Sequence, residues 1–121
     1  MTTDIDPKAS ESLPSFAGDV AARFPDIWKT YQALGEAAAA AGPLTEREQR
    51  LVKIALAIGS GSEGATHSHA RRARREGIDA AALQQIPMLA ITSLGWSQAM
   101  RGLAWIEDVF AASQARRRKD P

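Results

Sequence analysis

The 121-residue chain carries 15 lysines and arginines against 14 aspartates and glutamates, a formal net charge of +1 at pH 7 that gives no global pull towards nucleic acid or an anionic membrane surface. It contains no cysteine, which excludes a disulfide framework, a thiolate metal site and a thiol nucleophile. With 45% hydrophobic residues but only 6% aromatics, and many alanines, the composition suits close-packed helices better than a sheet, in one small domain that leaves much surface for a partner.

Residues 1–18 are polar, hold Pro7 and Pro14 and lack a helical period, so they read as a flexible arm. Ile5, Leu13 and Phe16 could pack that arm on a partner subunit. The first residues are acidic where a secretory leader needs positive charge, and no apolar run approaches the roughly 18 residues of a membrane span. The expectation is therefore a cytoplasmic protein with no membrane partner.

A helical domain is expected over residues 19–112. Its first helix starts near Pro25, whose missing N–H costs nothing in a first turn, and ends near Gly42 and Pro43, with Ile27, Tyr31 and Leu34 forming an apolar stripe beside Trp28. Thr45 followed by Glu48 forms a capping box that opens the second helix, with Leu51, Ile54, Ala55 and Ile58 as its buried face. After the break at Gly59–Ser62, a third helix spans Glu63 to Glu76 and stops at Gly77 with Ile78 as the hydrophobic contact of a left-handed cap. Asp79 caps a fourth helix that Pro87 should kink. A fifth runs from Trp96 to Ala112, and the basic tail 113–121 should fray. The fold class is all-α, a compact bundle of about five main helices, with Trp28, Trp96 and Trp105 in core or interface positions where the indole N–H groups find partners.

Both histidines of the chain lie in the third helix. Glu63 and His67 stand four residues apart and share a face, an arrangement that serves a carboxylate-oriented general base or half of a metal site. His69 points to a different side, on a stripe with Ala65, Arg72, Ala73 and Glu76. Metal binding needs a third ligand from another helix or subunit, and an i, i+4 pair is also an ordinary surface feature. The cluster Arg71, Arg72, Arg74 and Arg75 could recognise a carboxylate or phosphate, but it equally complements the helix macrodipole. No aromatics are interleaved with the charge and no nucleic-acid motif occurs, which argues against a nucleic-acid partner.

The stretch from Leu44 to Ile78, with its LTxRE opening (Leu44, Thr45, Arg47, Glu48), the run IALAIGSGSEGATHSHARRA and the later ITSLGW segment, resembles the carboxymuconolactone decarboxylase and AhpD-like alkyl hydroperoxidase superfamily, in a cysteine-free branch. The resemblance covers roughly residues 25–110. It implies an AhpD-like helical bundle assembled as homotrimers or as hexamers of paired trimers. Peroxidase members use a Glu, then eleven residues, a CxxC, three residues and a His. Laid on His69, that pattern puts Arg50 at the glutamate position and Ser62 and Ala65 at the cysteine positions, so only the histidine is retained. Cysteine-dependent peroxidase chemistry is excluded.

The decarboxylase members imply acid–base chemistry on a small anionic metabolite without a cofactor. His69, helped by His67 or Glu63, would then move the proton, and Arg50 and Arg72 would hold substrate carboxylates. Two other readings stay open: a non-catalytic oligomeric binding or scaffold module, and a metal-binding oligomer built on Glu63 and His67.

Overall fold

The computed structural model describes residues 15–119. Among them it is all-α: α1 (Ser15–Arg23), α2 (Pro25–Ala39), α3 (Glu46–Gly59), α4 (Glu63–Arg75), α5 (Ala80–Leu94) and α6 (Trp96–Lys119), with no strand. These helices form two compact units that part between Pro43 and Leu44, inside the span expected as one helical domain. The proposed arm falls mostly outside the described residues, but its last residues belong to α1.

In the first unit, Pro25 opens α2 at its first turn. Backbone bonds from Phe24 to Val20 and from Trp28 to Phe24 carry the helical pattern across the junction with α1. The stripe Ile27, Tyr31 and Leu34 has the expected spacing, yet each residue is about two-thirds exposed. The Trp28 Nε1 group is buried with no acceptor among the described residues, contrary to the expectation that each indole finds a partner.

The second unit holds the core. Thr45 and Glu48 exchange both bonds of the capping box, Glu48 N donating to Thr45 Oγ1 at 3.1 Å and Thr45 N donating to Glu48 Oε1 at 2.8 Å. At the far end of α3, Gly61 N donates to Ile58 O and Ser62 N to Ala57 O, the paired bonds of a Schellman cap with Gly61 at φ 72°. The end of α4 repeats the device: Gly77 N donates to Arg74 O, Ile78 N donates to Ala73 O, and Gly77 sits at φ 87°. Ile78 then drops into the core beside Ala73. Asp79 caps α5 through Ala82 N. That helix continues through the buried Pro87, although the ring removes one i to i−4 bond.

Ile54 and Ile58 of α3, Ala73 of α4, Leu83 of α5 and Ile106 of α6 meet with Ile78 to form the core, against which Leu51, Ile86 and Phe110 pack. Gln98 of α6 ties this centre together by donating from Nε2 to Ile58 O at 2.6 Å, a second donor to the carbonyl that already accepts from Gly61 N. The last helix is longer than expected. Its backbone stays helical through Lys119.

Candidate functional site

The helix α4 positions every candidate of the histidine cluster. Ser62 caps its start, the Oγ accepting from Ala65 N at 3.2 Å, and Thr66 is fully buried with its hydroxyl donating to Ser62 O. Thr66, Ala70 and Ala73 are the inward face, which fixes the rotation of the helix. His67 and His69 are each left half-buried. The structure sorts the expected site residues into two groups.

The first group is Glu63, His67 and a residue that the sequence reading missed, Asp108 of α6. His67 Nε2 donates to Asp108 Oδ2 at 3.0 Å. A carboxylate can only accept, so the bond places the proton of the neutral ring on Nε2 and leaves Nδ1 as the acceptor. Ligand atoms of Glu63, His67 and Asp108 all lie within 4.8 Å of one another, with both carboxylates exposed. Forty-one residues separate His67 from Asp108, and no local pattern announces the pair.

The second group surrounds His69. Arg50 of α3 places Nη1 2.6 Å from His69 Nδ1, while its Nε and Nη2 donate to the two carboxylate oxygens of Glu76 at 2.7 and 3.3 Å. A guanidinium is always a donor, so His69 Nδ1 must be unprotonated and the neutral ring carries its proton on Nε2. Burial, then Arg50, Arg72 and Lys53, pull the His69 pKa down to about 4, with Glu76 opposing. Near neutral pH the ring is an uncharged donor set among cations. Arg50 stands where the family resemblance puts a glutamate, and the carboxylate here comes instead from Glu76, one helical face along from His69. That i, i+7 relation was legible in the sequence.

Glu63 and His67 therefore do come together, as their spacing requires, while His69 faces Arg50 and Glu76. Arg72 contributes to the positive field at His69. Arg74 is committed elsewhere: its guanidinium lies 4.6 Å from the Phe110 ring centroid and Nη1 donates to Val109 O, which fastens α4 to α6.

A third feature contains none of these histidines. Between α3 and α5 lies an open apolar groove of about 790 Å³, lined by residues that include Val52, Leu56, Leu89 and Leu94, with Arg47 among the polar ones. Leu56 and Leu89 are about two-thirds exposed. Among the described residues no helix is long and apolar enough to cross a membrane.

A sequence model of the carboxymuconolactone decarboxylase family matches residues 25–108 of the chain. No curated protein and no solved structure matches significantly.

Proposed function

The chain belongs to the carboxymuconolactone decarboxylase family, and from that premise we propose that it binds a small anionic metabolite, such as a di-acid, beside His69 and acts on it by cysteine-independent proton transfer or decarboxylation. The observation that supports this reading most is the bond from Arg50 to His69 Nδ1. It leaves a neutral Nε2–H as the group offered to a ligand, with Arg72 and Lys53 contributing positive potential.

Such a donor suits the chemistry. In a decarboxylation the carbon–carboxylate bond breaks, CO2 leaves, and the electron pair passes into an adjacent carbonyl as an enolate. The same carbon later takes up one proton. A fixed N–H among cations stabilises the enolate oxygen as charge develops there. Arg72 holds a substrate carboxylate, and Arg50, occupied by Glu76 and His69, positions the ring.

Calorimetric titration with a panel of small di-acids and di-acid lactones tests the reading. Saturable binding is expected for the parent protein. His69→Gln and Arg72→Gln should each weaken it roughly 10- to 100-fold, the value of a lost charge-assisted hydrogen bond. Unchanged affinity in both variants would refute the site.

The proposal includes self-assembly as a trimer or as a hexamer of paired trimers, and the exposed groove between α3 and α5 supports it. Covering one such leucine contributes about 1.5–3 kcal/mol, so leaving the whole face in water is costly. Sedimentation velocity should show an oligomer for the parent chain and monomer for Leu56→Glu combined with Leu89→Glu. A monomeric parent at micromolar concentration would end this part of the reading.

A further inference from the structure

We propose that Glu63, His67 and Asp108 bind one divalent first-row transition-metal ion within a single chain. The inference is independent of the anion reading, because its three side chains are distinct from the group around His69. Two helices build the site. Glu63 and His67 are neighbours on one face of α4 at i and i+4, and Asp108 projects from α6, the element that packs against that helix. The third ligand that the histidine helix cannot supply is thus present in the same chain.

The geometry is close to what a metal requires. With metal–nitrogen and metal–oxygen bonds of about 2.0–2.2 Å, ligand atoms in a tetrahedral site stand roughly 3.3–3.5 Å apart. His67 Nε2 and Asp108 Oδ2 are at 3.0 Å, so two ligands need to open only slightly. All three ligand atoms already fall within 4.8 Å. The exposed Glu63 side chain closes the remainder by a change of rotamer.

Charge and proton also balance. The two carboxylates offset the dication, and the imidazole binds as a neutral ligand. In the metal-free protein the Nε2 proton bridges His67 to Asp108. On loading, that proton leaves Nε2, Nδ1 takes one up from solvent, and the ion occupies the place between ring and carboxylate. No net proton is released from a neutral ring. One nitrogen and two carboxylate oxygens form a donor set of intermediate hardness, suited to Zn2+, Co2+ or Mn2+. Because the carboxylates are exposed, water completes the coordination.

The test is calorimetric titration of Zn2+ into untagged protein stripped with chelator, with no di-acid present, so that its failure is separate from failure of the anion site. One ion per chain is expected, with Asp108→Asn and His67→Gln each weakening binding at least tenfold. Glu107→Gln is the control: it removes the same charge from the adjacent residue, whose carboxylate accepts from Gln84, and should leave affinity unchanged. Co2+ loading should give visible ligand-field bands that Asp108→Asn abolishes, a readout of coordination that does not depend on stability. The proposal is overturned if no saturable binding occurs, if the stoichiometry is below one per chain, or if Glu107→Gln costs as much as Asp108→Asn.

Discussion

Gly102→Val is expected to destabilise the protein by about 1–3 kcal/mol, the usual cost of forcing extra atoms into a packed core, seen as a fall in Tm of roughly 5–15 °C. Gly102 is buried on α6 where that helix crosses α3. A Cβ built there would lie 2.7 Å from Ile58 Cγ2, 2.9 Å from Cδ1 and 3.0 Å from Cγ1. Ile58 is fully buried in the core, and a close-packed interior leaves little room to shift. The glycine is therefore kept for close approach, since its helical backbone would accept alanine with a gain in propensity. Ile58→Ala alone should cost about 2–5 kcal/mol through the cavity it leaves. Combined with Gly102→Ala, the loss should be smaller than the sum of the two, by a coupling of about 0.5–3 kcal/mol. Strict additivity in chemical denaturation would show that the two helices are not held at this distance by this pair.

Arg50→Ala is the second variant with a large expected effect. It removes the donor to His69 Nδ1 and leaves the Glu76 carboxylate without its fork. The imidazole is then free to take either tautomer, and di-acid binding should fall at least tenfold. In metal-free buffer the His69 pKa should rise from about 4. It should not return fully to 6.5, because burial, the largest cause of the depression, remains. The sign for stability follows. With the folded pKa below the unfolded value, the unfolded chain binds more protons between about pH 4 and 6.5, so the parent protein loses stability as pH falls through that window. Arg50→Ala narrows the window, and the acid-induced loss should be smaller. At pH 7 the broken pair itself should cost only about 0.5–1 kcal/mol, since the Glu76 side chain is 40% exposed and screened. An unmoved His69 titration, followed by NMR, would mean that the guanidinium does not set the charge of the ring.

The helices that carry the site were readable because their punctuation is local. Thr45 and Glu48 announce α3, Gly77 with Ile78 ends α4, and Asp79 opens α5, each through side-chain or backbone bonds spanning no more than five residues. The i, i+4 relation of Glu63 and His67 was equally legible. Asp108 was not, because it reaches His67 across 41 residues, and Arg50, 19 residues from His69, entered the site only through the family resemblance. Lys53 entered no local pattern either, yet it contributes to the field at His69. Apolar spacing also overstated the core. Ile27, Tyr31, Leu34 and Ala55 have helical periodicity but remain exposed, since periodicity marks a face and not what covers it. The helix Ser15–Arg23 escaped notice because it is only nine residues long and begins inside the stretch read as an arm.

The central claim is that a small anion is held at the His69 ring, and the most direct measurement is an NMR titration of the imidazole resonances with a small di-acid at pH 7. Saturable shifts centred on the His69 Nε2–H are expected, strongly weakened in Arg72→Gln, with His67 affected less. Shifts confined to the arginine-rich end of α4, or none at His69 at millimolar di-acid, would contradict it.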